Sequence, residues 1–134
     1  MTLQFAASIR TAQSQAIETD IGTSPILRIR TGAQPANVAA SSSGTVLATV
    51  NMPSDWATHS NGVLTKSGTW EDTSADASGT AGHFEIVASD GTTRKAQGSV
   101  TATGGGGDMT VDNVVFAASQ QFTITSFTIT MGNA

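Results

Sequence analysis

Cysteine is absent from this chain of 134 residues, which excludes a disulfide framework and any thiolate metal site. Charge is scarce as well: 12% of residues are charged, and the histidines are His59 and His83 alone. Enzymes gather titratable groups where they work, and this chain has few to gather. Tyrosine is missing, and two tryptophans (Trp56, Trp70) with five phenylalanines are too few for a thick aromatic core. The six basic residues, Arg10, Arg28, Arg30, Lys66, Arg94 and Lys95, are scattered through a chain of net charge −4. Nonspecific nucleic-acid binding needs several cations facing phosphates, so no nucleic-acid partner is expected. No run approaches the ~20 apolar residues of a membrane helix. The start of the chain also lacks the basic stretch and apolar run of a signal peptide, so no membrane partner is expected either.

What is there is small and β-forming. Serine and threonine make up about a quarter of the chain, a composition suited to thin, closely packed sheets. The length fits one domain able to bury a core without covalent staples. The first segment stands apart. Phe5, Ile9, Ala12, Ala16 and Ile17 recur at helical spacing among Gln13, Ser14 and Glu18. This predicts an amphipathic helix over 3–18, stopped at Ile21-Gly22. Residues 1–22 are therefore read as a helical tether and 24–134 as a β domain. The apolar stripe has two outlets, its own β domain or a neighbouring subunit.

From Ser24 the period changes to two. Leu27 and Ile29 alternate with Arg28 and Arg30, and Val46, Ala48, Val50 and Met52 share a face opposite Leu47. Asn61-Gly62 signals a hairpin turn. The clearest strand covers 83–88, with Phe84 and Ile86 against His83, Glu85 and Val87, and 94–101 is its hairpin partner across Ser89-Asp90-Gly91. Gly98 within that partner leaves room for a bulky neighbour. Residues 31–44 and 72–82 read as small-residue loops, and Gly104, Gly105, Gly106 and Gly107 as a long flexible hairpin loop. In the last segment Phe122 and Ile124 hold one phase, and Phe127, Ile129 and Met131 the other. The slip at Thr125-Ser126 implies a bulge or a strand that changes sheets. Seven or eight short strands with frequent turns predict a mainly all-β fold, an antiparallel β-sandwich or jelly-roll-like barrel with an N-terminal α-helix.

The residues that bear chemistry do not assemble along the chain. Asp72 with Asp76, and Asp108 with Asp112, are loop carboxylates of the kind hard cations use, but neither pair belongs to the spaced acid series of a calcium loop. Glu71, Asp72 and Glu85 form no distinguished acid pair for glycoside cleavage. His59, in a turn, and His83, on the outer side of a strand or at an interface, are read as isolated histidines. No serine occupies a Gly-x-Ser-x-Gly elbow. The glycine run is followed by no Lys-Ser/Thr and no helix, so it is not a phosphate loop. Trp56 and Trp70 suit core packing better than sugar stacking. The expectation is no enzyme, no catalytic residue, no cofactor and no metal.

Several blocks nevertheless look familiar. They are AIETDIGTSPILRIRTGAQPAN, in which the helix ends, TVLATVNMPSDW, SGTWEDTSADASGTAGHFEIVASDGTT, and the closing QGSVTATGGGGDMTVDNVVFAASQQFTITSFTITMGNA. Together they resemble small proteins encoded in the structural-gene clusters of tailed bacteriophages and prophages, with TAGHFEIVASDGT and GDMTVDN the most specific parts. The resemblance implies a virion component without catalytic residues. It implies a capsid decoration or cement protein on the capsid surface, assembled in the host cytoplasm, whose partners are the major capsid protein and copies of itself. A tail or head-fibre protein with a carbohydrate- or receptor-binding sandwich is the alternative. The interface residues expected on this reading are Phe5, Ile9 and Ile17, with the Gly104 to Gly107 loop second.

Overall fold

A computed structural model describes residues 2–134. One helix, α1 (Ala7–Ile21), precedes eleven strands: β1 (Ile26–Thr31), β2 (Val46–Asn51), β3 (Ala57–Ser60), β4 (Val63–Lys66), β5 (Trp70–Asp72), β6 (Gly79–Val87), β7 (Arg94–Ala102), β8 (Met109–Val111), β9 (Val115–Phe116), β10 (Phe122–Ile124) and β11 (Thr128–Thr130). Strand accounts for 39% of residues and helix for 11%, so the fold is all-β and sandwich-like with one N-terminal helix.

The largest sheet runs β2-β1-β6-β7-β8, with β9 also paired to β6. Period-two alternation gives its central strands one apolar face, where Leu27, Ile29, Ala48, Val50, Phe84, Ile86 and Val100 are buried. Two small sheets, β10-β5 and β11-β4-β3, contribute Leu64, Trp70 and Ile124 to the same core, and Trp56, just before β3, joins them. The aromatic side chains form a connected series through it. Trp56 meets Trp70 at 6.2 Å, Trp70 meets Phe127 at 5.9 Å, and Phe127 meets Phe84 edge-on at 5.6 Å. Both tryptophans are fully buried, and each indole N–H is satisfied by a carbonyl, Trp56 by Gly22 and Trp70 by Ser67. No exposed tryptophan platform for stacking a sugar exists.

The phase slip at Thr125-Ser126 is a change of sheets. Phe122 to Ile124 pair with β5, and Thr128 to Thr130 pair with β4. Asn61 and Gly62 both take positive φ, at 51° and 76°, the pair of left-handed residues that a tight β3–β4 hairpin requires. Gly98 lies beneath the Phe84 ring, where a Cβ would come within 2.6 Å of it.

Other expectations are corrected. The helix begins at Ala7 rather than near Leu3 because the Phe5 N–H donates to the Asn133 carbonyl at 2.7 Å and keeps the arm extended. It continues to Ile21, which is buried, and stops at Gly22 with φ of 90°. Strand β6 begins at Gly79, within the expected 72–82 loop, because β9 pairs with Gly79 and Thr80. The glycine run is not a hairpin loop, since β7 and β8 are parallel. A parallel link normally needs a dozen or more residues. Here 103–108 suffice because the loop folds back onto Thr101. A Cβ on Gly105 would lie 2.8 Å from the Thr101 Cβ, and one on Gly107 would lie 3.0 Å from the Thr101 nitrogen. Gly104 and Gly106 take positive φ, which completes the reversal.

Candidate functional site

Helix α1 lies on the β3–β4 hairpin by a mostly polar side. Arg10 donates to the Asn61 carbonyl at 2.8 Å, and the Gly62 N–H donates to the Thr11 hydroxyl at 3.0 Å. A Cβ on Gly62 would approach the Arg10 Cβ to 2.5 Å, so the turn glycine also sets how closely the helix seats. One turn along, the Ser14 Oγ sits 2.8 Å from His59 Nδ1, and His59 Nε2 sits 2.9 Å from Glu18 Oε1. Ile17 and Ile21 pack against the core at the far end.

A serine, a histidine and a carboxylate in series invite comparison with a hydrolytic triad. Ser14 is fully buried, and its hydroxyl donates to the Thr11 carbonyl. In a triad the serine faces Nε2 and the acid faces Nδ1; here the order is reversed. An oxygen sealed from solvent under its own helix has no room for a substrate carbonyl. The three side chains fasten α1 to β3. Residue chemistry along the chain gave no hint of this grouping, because it depends on α1 folding back onto a hairpin more than forty residues away. The one available signal was the i, i+4 spacing of Ser14 and Glu18 on a helix with an unassigned histidine downstream.

The opposite side of the large sheet holds a second polar group. Glu85 is 1% exposed and pairs with Arg30 Nε; Arg94 Nε is 3.7 Å away, and the Ser42 hydroxyl donates to the carboxylate at 2.9 Å. Arg94 also donates to the carbonyls of Val38 and Ala40, Gln97 to that of Pro35, and Arg30 to that of Gly44. Neighbouring His83 is 1% exposed with Nδ1 at 2.8 Å from the Gly32 carbonyl. The alternation placed His83 on an outer strand face or at an interface. That face is in fact roofed by residues 32–45, whose backbone carbonyls are tied down by the two arginines.

The loop carboxylates are used in the same structural way. Asp72 accepts from the N–H groups of Thr49 and Ser74, Asp76 from the Thr49 hydroxyl, and Asp108 from the N–H and hydroxyl of Ser99. Among the described residues no three His, Cys, Asp or Glu side chains group as a metal site. Asp90 shows the effect of such capping. Its carboxyl is held well below the usual carboxylate range, first by the Thr93 hydroxyl and then by the N–H groups of Thr93 and Thr92.

No protein family, no curated protein and no solved structure matches this chain. The site must therefore be read from its own residues. The expected interface residues do not share one surface. Phe5 is half-buried in the extended arm, Ile9 is 48% exposed on the outward side of α1, and Ile17 faces the body. The glycine loop is at the β7–β8 end, largely exposed, whereas α1 packs on β3 and β4. Leu3, at 52%, joins Ile9 as a large exposed apolar side chain of the N-terminal segment. Ala12 and Ala16 are exposed one and two turns beyond Ile9. Among the described residues no helix is long and apolar enough to cross a membrane.

Proposed function

We propose that this chain is a structural protein of a tailed-bacteriophage virion, a decoration protein that sits on the major capsid lattice, contacts copies of itself and transforms no molecule. The observation that carries the reading is the two-sided N-terminal segment. Its inward side is held by Arg10, Thr11, Ser14 and Glu18, while Leu3, Ile9, Ala12 and Ala16 point outward. An apolar strip on a firmly seated helix is pre-organised for a partner, so little ordering entropy opposes contact. The resemblance of the TAGHFEIVASDGT and GDMTVDN blocks to phage virion proteins supports the same reading.

A decoration protein acts by repetition. Each copy binds only the shell geometry it fits and stabilises that state by mass action, about 2.7 kcal/mol when free protein is a hundredfold above its dissociation constant. Deleting everything before Ser24 would not test this cleanly, because Gly22 holds the Trp56 indole and Ile21 is core. Substituting Leu3→Lys together with Ile9→Lys leaves the seat of the helix intact. The folded protein is expected to co-sediment with assembled capsid shells and to raise their melting temperature, and the double variant to do neither. Wild-type protein left in the supernatant, or a variant that decorates normally, would refute the reading.

A further inference from the structure

A cavity of about 380 Å³ lies between the loop that follows β8 and the segment that leads into β10. Its walls carry Asp112, Asn113, Gln120 and Gln121, and its floor is formed by Phe116 and Phe122, whose rings pack at 4.6 Å. The volume is in the range of small-ligand sites. The amide and carboxylate side chains each have one end anchored. Asn113 Oδ1 accepts from the Val115 N–H, Gln120 Oε1 from the Ala117 N–H, and Asp112 Oδ1 from the Asn113 N–H; Gln121 Nε2 donates to Glu71. The other ends have no protein partner. They are the amide NH₂ groups of Asn113 and Gln120, the second carboxylate oxygen of Asp112 and the carbonyl oxygen of Gln121.

Two donors beside two acceptors, on exposed side chains each tethered by one hydrogen bond over a small apolar floor, match vicinal hydroxyls, each of which both donates and accepts. The geometry points to a binding site for a neutral sugar, a hexose or N-acetylhexosamine residue of a glycan. Charge narrows the class. Asp112 lines the cavity, Glu71 adjoins it, and none of the six basic residues does, so acidic sugars are repelled. Both phenylalanines are almost buried and offer ring edges rather than a stacking face, which sets weak, multivalent binding as the working mode. The site uses none of the N-terminal residues proposed to meet the shell.

Isosteric substitutions separate ligand binding from loop structure. Asn113→Asp and Gln120→Glu keep the oxygens that accept from Val115 and Ala117 and replace each outward NH₂ donor with a charged carboxylate acceptor. The experiment is a titration of isotope-labelled protein, followed by NMR, with neutral and with sialylated or uronic-acid oligosaccharides at about 10 mM, near saturation for a millimolar ligand. Neutral sugars are expected to shift the side-chain amide signals of Asn113 and Gln120. Acidic ones should bind at least about tenfold more weakly, and each substitution should weaken neutral binding by about tenfold, the value of one hydrogen bond. No shift with any neutral sugar, a preference for acidic sugars, or unchanged affinity in a folded variant would overturn the assignment. Should a variant fail to fold, the wild-type shift map alone decides.

Discussion

Among the described residues the one buried carboxylate is Glu85, grouped with Arg30 and Arg94. Removing one member of such a set costs more than the set contributes, because the remaining charges stay desolvated. Glu85 is thus a residue on which Arg30, Arg94 and the covering segment all depend. Asp90 shows the opposite regime, an exposed carboxylate that gains from local hydrogen bonds with Thr92 and Thr93. Its pKa in the folded protein lies below the ordinary value of 3.8. Its contribution to stability is therefore complete above that value and is lost as pH falls toward the folded one. The stability gap between wild type and Asp90→Ala, from urea melts, should be constant near about pH 6 and narrow below about pH 4. A gap that stays the same or widens on acidification would show that those hydrogen bonds do not favour the ionised carboxylate.

At the scale of elements, what the sequence reveals depends on how local the cause is. Alternation in Leu27 to Arg30 and in Phe84 to Val87 follows from a strand with one buried face, and it was readable. The slip at Thr125-Ser126 was readable for the same reason, since phase records which face is buried. The start of α1 was not, because the extended arm is fixed by Asn133 at the far end of the chain. Nor was the roofing of His83 and Glu85, since a polar strand face looks the same whether water or a loop covers it. The glycine run was readable as a loop, but its parallel outcome rests on the close approach to Thr101. The fastening of α1 belongs among these long-range effects, and it can be tested as an element. His59→Ala cuts both links to the helix while leaving Ser14 bonded to Thr11. Amide exchange across Ala7–Ile21 should accelerate, with about 1–2 kcal/mol lost overall, while β1, β6 and β7 remain protected. Equal protection of α1 in the variant would mean that Ile17, Ile21 and the Arg10 and Thr11 bonds hold the helix without the histidine.

The whole molecule is three sheets around one aromatic series, and Phe127 is where they meet. It lies between the large sheet and the small ones, against Phe84 of β6 on one side and Trp70 of β5 on the other, and its carbonyl accepts from the Lys66 N–H of β4. The two small sheets have three-residue strands at β5, β10 and β11, too short to stand alone, so their order depends on being packed against the large sheet. Phe127→Ala leaves a cavity at that junction and should cost about 3–5 kcal/mol. That is a large share of the ~5–15 kcal/mol expected for a whole domain. The loss should also be uneven. Trp56 and Trp70 report on the small sheets, whereas far-UV circular dichroism weights the long strands β6 and β7. In wild type the two signals should melt together in urea; in Phe127→Ala tryptophan fluorescence should change first, with a smaller slope. Coincident transitions in the variant, or a loss below about 1 kcal/mol, which is typical of mutations generally, would mean that the sheets are joined elsewhere. The Phe116–Phe122 pair, which links β9 on β6 to β10 on β5, would then be the next junction to remove.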